Sequence, residues 1–323
     1  MVRTKIASGI DTTVELGPLR LRNPIVAASG TFGVGDEVAH LCPPDALGAV
    51  TAKSLAPFAH GGNPPLRTCP APGEGMLNSV GLAGPGVDAW IEHDLPALEA
   101  TGATIIVSIW GRTVDDYAAA ASAVHGLGPR VAALELNLSC PNLASHGTSA
   151  DGQPASAMFA HSPELTAEVV HATRGALPVF AKLTAQVADP VAVARAAVDA
   201  GACGLTLVNT MPGLVIDVGR RRPRLGAGTG GLSGAPLHAI ALRTVWVVAQ
   251  ALPGVPIIGT GGVCSADDAI AMLLAGAHAV GVGTATFADP RAPLRIARGL
   301  AQWCADHGVH RVRELTGGLA WPM

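Results

Sequence analysis

Aromatic residues are scarce in this chain: one Tyr, five Trp and five Phe, 3% of 323 residues. Single-stranded nucleic-acid platforms and large desolvated protein interfaces lean on aromatic side chains, so the composition argues against both. Charge is scarce too. Asp, Glu, Lys and Arg make up 14%, and 21 basic against 24 acidic residues leave a formal net charge of -3. A duplex-binding protein needs a basic excess to displace counterions from phosphates, and there is none. The six cysteines, at 42, 69, 140, 203, 264 and 304, form no CxxC pair, which is the usual ligand spacing of zinc ribbons and iron–sulfur centres. No metal site is expected. No apolar run is long enough to predict a membrane span, and no signal-type apolar stretch follows Arg3 and Lys5. A reducing cytoplasm with free thiols is the expected compartment.

Hydrophobic residues are plentiful at 49%, and Gly (40) with Pro (25) makes a fifth of the chain. That is enough apolar material for a large core, so disorder is excluded, and the glycines lack the three-residue period of collagen. Eight short apolar runs punctuate the sequence at 24–28, 48–52, 104–109, 131–137, 178–183, 204–208, 256–259 and 278–283. They are nearly continuous rather than alternating, as for strands buried on both faces. Ala-rich stretches of helical length lie at 86–100, 114–126, 163–174, 190–200, 236–251, 265–275 and 290–305. Strand–helix alternation with full burial predicts parallel strands joined by crossover helices. Eight such strands predict closure into a (β/α)8 TIM barrel, one domain over 1–323, with a doubly wound sheet as the alternative. Val14–Leu16 and Leu19–Arg22 flank Gly17-Pro18, an N-terminal hairpin expected to cap the bottom of the barrel. Ser265 with Asp268, and Ser162 before Pro163, mark helix starts. The Ser/Gly/Ala-rich stretch 143–161 reads as a mobile loop.

In a barrel, chemistry collects at the C-terminal ends of the strands. The polar residues there are few: Ser29-Gly30-Thr31, Lys53-Ser54, Asn137 to Asn142, Lys182, Asn209-Thr210, Gly259 to Gly262 and Gly281 to Thr284. Lys53 and Lys182 are two of only three lysines. A lysine in or beside a buried strand is costly unless its charge has a use, so an anionic ligand is expected. An internal salt bridge is the alternative. Cys140 stands in the context Asn-x-Ser-Cys-Pro-Asn, whereas Cys42, Cys69, Cys203, Cys264 and Cys304 have no such context and read as structural. No His is tied to Cys140 by sequence, which suits an acid/base thiol better than a nucleophile. Gly261-Gly262 before the Ser265-capped helix, with Gly283-Thr284 after the last run, reads as a phosphate cradle. Two patterns are set aside. Gly226 to Gly231 satisfies GxGxxG but follows the basic cluster Arg220–Arg224, not a strand. Asn137-Leu138-Ser139 is a sequon in form only, at the buried end of a strand. The arginine cluster reads as a solvated or interface loop.

These residues carry a resemblance. Ala28 to Gly33, Asn78-Ser79-Val80-Gly81-Leu82, Glu135 to Asn142 (ELNLSCPN), Lys182-Leu183, Asn209-Thr210, Ile216-Asp217, Gly230 to Gly234, Ile258 to Gly262 and Gly281 to Ala285 resemble the FMN-dependent dihydroorotate dehydrogenases of class 1. Within that class the chain is most similar to the catalytic subunit of the two-subunit, NAD-linked type. The membrane-linked class would carry Ser where Cys140 stands. The resemblance implies oxidation of dihydroorotate to orotate in pyrimidine biosynthesis, with FMN as cofactor. It implies that Cys140 takes the C5 proton, with Lys53 as the second catalytic residue, while hydride leaves C6 for the flavin. Lys53, Asn78, Gly81, Leu82, Asn137, Asn142, Asn209 and Thr210 would hold the substrate. Ala28, Ser29, Gly30, Lys53, Ser54, Asn137, Lys182, Val208, Ser233, Gly234, Gly261, Gly262, Gly283 and Thr284 would hold FMN. A homodimer is implied, and the iron–sulfur and FAD centres would reside on a separate subunit. A thiol with a free pKa of roughly 8.5 predicts a rate rising toward alkaline pH.

The chain departs from the family pattern at Thr184-Ala185 and at Ala83-Gly84, and in the length of 143–157, without losing a chemical residue. A dihydropyrimidine dehydrogenase-like enzyme acting on uracil or thymine, and a flavin-free phosphate-binding isomerase or aldolase barrel, are the alternatives.

Overall fold

Eight parallel strands close on one another in chain order: Ile25–Ala27, Ala49–Thr51, Ile105–Ile109, Ala133–Asn137, Val179–Leu183, Gly204–Leu207, Ile257–Thr260 and Ala279–Val282, the last returning to the first. They are seen in a computed structural model that describes residues 9–33, 37–140 and 158–321. Each strand falls on one of the eight apolar runs, and every residue in them is buried. Strands buried on both faces need no polar alternation, which is why the runs read as continuous. Large and small residues alternate between neighbours in the wall. Phe180 stands in register with Gly204, and a Cβ on that glycine would lie 2.5 Å from the Phe180 ring.

The crossover helices follow the expected stretches, with one difference. The 86–100 stretch is two helices, Val87–His93 and Leu95–Ala100. Pro96 lies in the first turn of the second, where its missing N–H costs nothing, but it cannot continue the first. The hairpin pairs Val14–Leu16 with Leu19–Leu21. Gly17 at its turn packs against Pro256 and the Cys203 carbonyl, residues that precede two strands, so the hairpin sits at the N-terminal end of the barrel. Beside it, the Asp11 N–H donates to the His310 carbonyl at 2.9 Å.

At the opposite end is a feature the apolar pattern does not announce. Thr68–Ala71, Gly75–Asn78, Gly230–Gly234 and Met211–Gly213 form a four-stranded antiparallel sheet. It is built from two excursions far apart in sequence, with Asn78 in register with Gly231. A short exposed hairpin, Ile216–Asp217 with Arg222–Pro223, projects from the second excursion. The GxGxxG segment therefore leads into a strand, not a helix, and its rejection as a dinucleotide fingerprint holds.

Both expected helix starts are present. Ser162 accepts from the Leu165 N–H with Pro163 at the first helical position. Ser265 and Asp268 form a reciprocal capping box, and the Asp268 carboxylate also accepts from the Cys264 N–H at 3.0 Å. This cap fixes the loop carrying Gly261-Gly262 to the helix Ala266–Leu274. Ser265→Ala is expected to lower stability by about 1 kcal/mol. A fall in the chemical-denaturation midpoint with unchanged slope is the readout, and an unchanged midpoint would show that the box contributes nothing.

Candidate active site

The C-terminal ends of the strands open into a cleft beneath the antiparallel sheet. Its wall brings together Ala28, Ser29, Gly30, Lys53, Ser54, Asn78, Gly81, Leu82, Asn137, Cys140, Lys182, Val208, Asn209, Thr210, Ser233, Gly234, Gly261, Gly262, Gly283 and Thr284. These are all the site residues expected from the sequence except Asn142. Asn142 lies outside the described residues, as does most of the 143–161 stretch.

Strand register explains the convergence. Asn137 and Lys182 are partners on adjacent strands, and Lys182 pairs in turn with Thr206. One polar network then orients the amides. Asn137 Nδ2 donates to Ser54 Oγ at 3.0 Å, and Ser54 Oγ lies 2.9 Å from Ser108 Oγ. Asn137 Oδ1 accepts from Asn209 Nδ2 at 2.9 Å, and that nitrogen also donates to Ser139 Oγ at 3.2 Å. Asn209 Oδ1 accepts from the Thr210 N–H. With both Asn209 amide hydrogens engaged, Asn209 turns acceptor capacity to the cleft, while Asn137 keeps one N–H in reserve. The phenol of Tyr117, the only tyrosine, donates to the Asn137 carbonyl at 2.7 Å. Burial pushes that phenol far up, so it stays a neutral donor.

Two lysines face this space. Burial pushes the Lys53 amine down. The negative charge that Cys140 can carry opposes that shift, and the Lys182 ammonium adds to it. Lys53 and Cys140 are thus coupled, and by reciprocity the Lys53 ammonium favours the Cys140 thiolate. Lys182 is buried in the wall, with Nζ 3.6 Å from Glu135 Oε1. The internal salt bridge weighed as an alternative therefore exists at Lys182, on a side chain that also lines the cleft.

At the far end lie Gly261-Gly262 and Gly283-Thr284. Gly262 has φ +71°, and a Cβ there would meet the His238 backbone nitrogen at 2.7 Å. A Cβ on Gly283 would meet only Thr31 and Ala28, at 3.6 Å and 3.7 Å. Both neighbours are cleft residues, so that Cβ would project into the cleft. His238 Nδ1 lies 3.1 Å from the Gly261 carbonyl, and Nε2 lies 3.7 Å from Asp268. Gly234 (φ +87°) admits the Glu74 carbonyl to a position 2.8 Å from where its Cβ would be. Leu82 adopts φ +55° beside Gly81, a left-handed conformation rare for a branched side chain and costing of order 1 kcal/mol.

Some wall residues were not singled out from the sequence. Thr68, Met76, Leu237 and Phe287 also line the cleft. Cys264, read as structural, lines it as well because it directly follows the Gly262-Val263 turn. Burial pushes its thiol up. The departures from the family pattern stand back from the wall: Thr184 Oγ1 accepts from the Gln186 N–H, and Gly84 pairs with His60. Among the described residues, no group of three His, Cys, Asp or Glu is placed to hold a metal, and no helix is long and apolar enough to cross a membrane.

The dihydroorotate dehydrogenase family model matches residues 12–303. The chain is 43% identical over 311 residues to a protein of Geotalea uraniireducens named dihydroorotate dehydrogenase B (NAD(+)), catalytic subunit, covering 96% of this chain and 98% of that one. Proteins of the same name from Trichlorobacter lovleyi (43% over 309 residues, covering 95% and 98%) and Desulforudis audaxviator (43% over 310, covering 95% and 97%) are similarly alike. With a closed parallel barrel, a cleft at its C-terminal end and a family match over nearly its whole length, the chain belongs to the dihydroorotate dehydrogenases.

Proposed function

We propose that this chain is the catalytic subunit of an NAD-linked dihydroorotate dehydrogenase in which Cys140 is the base. The observation that carries this reading is the meeting of Cys140, Lys53 and the Asn137–Asn209 pair in one cleft with a glycine cradle.

The residues fit FMN. A Cβ at Gly283 would project into the cleft beside Thr31 and Ala28, as expected where backbone closely approaches a phosphate. Gly261, Gly262, Thr284, Ser233 and Gly234 would complete that end, while Ala28, Ser29, Gly30, Ser54, Val208 and Lys182 would border the ring system. When bound, FMN supplies the acceptor for the hydride from C6 of dihydroorotate.

The chain's own residues handle the proton and the orientation. The Cys140 thiolate takes the proton from C5. A carbon acid is weak, so the base needs to be ionised and close to it. Lys53 serves twice, favouring the thiolate and offering a cation to the substrate carboxylate. The donor edge of Asn137 and the acceptor edge of Asn209 match a pyrimidine edge of alternating C=O and N–H. Asn78, Thr210, Asn142 and the backbone at Gly81 and Leu82 complete the contacts. The antiparallel sheet keeps the site from bulk water, which strengthens each charge interaction.

The further electron path would run to NAD through a separate iron–sulfur and FAD subunit, as the naming of the relatives as catalytic subunits of an NAD(+) enzyme supports; this chain carries no CxxC pair of its own. None of the six is in a disulfide among the described residues, which suits a cytoplasmic protein. A homodimer is the expected assembly. Leu214, Ile216 and Val218, exposed by 52%, 53% and 83% around the projecting hairpin, suit burial against a second copy.

Four outcomes test this reading. Dihydroorotate bleaches the bound flavin anaerobically and dihydrouracil, lacking the carboxylate, does not. Cys140→Ser slows that bleaching by about 10²-fold or more at neutral pH and moves the rise of rate with pH to higher values. An unchanged rate would remove Cys140 as base. Gly283→Val, whose side chain would project into the cleft between Thr31 and Ala28, gives folded protein that purifies without flavin absorbance; retained FMN would place the phosphate elsewhere. Sedimentation gives a dimer for the wild type and a monomer for Val218→Asp, and a dimer for both would clear this hairpin of the role.

A further inference from the structure

Glu135 has no part in the reading so far. It lies in the barrel wall, 2% exposed, beneath the cleft floor. It sits two residues before Asn137 on the strand Ala133–Asn137 and so shares its face. Oε2 accepts from Thr206 Oγ1 at 2.9 Å. Oε1 is buried and has no hydrogen-bond partner among the described residues, and Lys182 Nζ is 3.6 Å from it. The three side chains come from three consecutive strands of the ring.

A buried carboxylate is a poor way to stabilise a barrel, since a well-packed apolar pair of similar volume commonly does better. A carboxylate under a cation that lines a ligand cleft has a different use. Fixed by Thr206, the carboxylate gives that cation a set place in the wall before any ligand arrives. At 3.6 Å the pair is looser than a charge-assisted hydrogen bond of about 2.8 Å, so the ammonium keeps N–H donors for the cleft. The other charged and titratable groups around Lys182 are Lys53, coupled to it and to Cys140. Thr206, on the other neighbouring strand, is neutral.

We propose that Glu135 is a positioning residue that holds the Lys182 side chain aimed into the cleft, so that this lysine favours the anionic, reduced form of the bound cofactor. The proposal rests on the FMN reading above. Its readout is the midpoint potential of bound FMN, measured against pH by equilibrium reduction of the purified protein. Glu135→Gln keeps the shape and an acceptor for Thr206. It is expected to weaken binding of reduced relative to oxidised FMN by about tenfold, which for a two-electron couple lowers the potential by about 30 mV. Thr206→Val, which only unties the carboxylate, gives a smaller shift of the same sign and supplies the measurement if the Gln variant does not fold. In a Lys182→Met background, Glu135→Gln shifts nothing.

A potential that is unchanged, or that rises, overturns the proposal; a rise would mean that Glu135 merely damps a lysine that stays charged without it. An equal shift in the Lys182→Met background also overturns it. These failures leave the FMN reading intact, whereas wild-type protein that binds no FMN ends both.

Discussion

The closure of eight short parallel strands is the constraint on which everything else depends. A parallel ladder has no free edge once closed, and all its strands end on one rim. Residues separated by tens of positions, such as Lys53, Asn137, Lys182 and Asn209, therefore meet without any loop having to bring them together. The wall below them is fully buried, so a polar side chain that enters it has to be satisfied by another from a neighbouring strand. That requirement produces the chain Ser108–Ser54–Asn137–Asn209–Ser139 and, one layer down, Thr206–Glu135–Lys182. Rigidity follows from the same fact. Each amide is oriented by two partners, so the cleft presents fixed donors and acceptors rather than side chains that reorganise when a ligand arrives.

The barrel was legible because burial on both faces removes polar alternation. All eight runs stand out, and Lys53 and Lys182 show by contrast with their apolar surroundings. The antiparallel sheet over the cleft was not legible. Its strands are short and rich in Gly and Pro, and each excursion pairs with the other across more than 150 residues, as Asn78 does with Gly231. Nothing local records such a pairing. The break at Asp94 between two short helices was available in Pro96. Glu135 was also available in principle: a Glu inside a continuous apolar run is as anomalous as a Lys. Its meaning needed the register that sets it beside Lys182 and Thr206. Cys264 had no signal, since its place in the cleft follows from the turn before it.

The site divides along the ring. Ala133–Asn137, Val179–Leu183 and Gly204–Leu207 supply side chains: amides, a cation and its counter-charge. Ile257–Thr260 and Ala279–Val282 supply backbone, ending in Gly261-Gly262 and Gly283-Thr284. The division has a physical basis. Recognition of a planar ring with fixed polar edges needs side chains of defined orientation, whereas a phosphate is best met by several N–H groups, which side chains would only obstruct.

The scarcity of charge gains a meaning from this arrangement. A surface can carry many lysines at little cost, but this chain has three, and two of them face the cleft. Two cations close together repel, and the repulsion is visible in Lys53, whose amine is pushed down by burial and further by Lys182. The two differ in their counter-charges. Lys182 has a carboxylate beside it in the wall, and Lys53 has the ionisable thiol of Cys140. Lys182 is thereby balanced from within the fold, whatever occupies the cleft. Lys53 is balanced only when Cys140 ionises or an anion binds. On the proposed assignment, a substrate carboxylate beside Lys53 would share that cation with the thiolate, so that one charge serves both the base and the substrate.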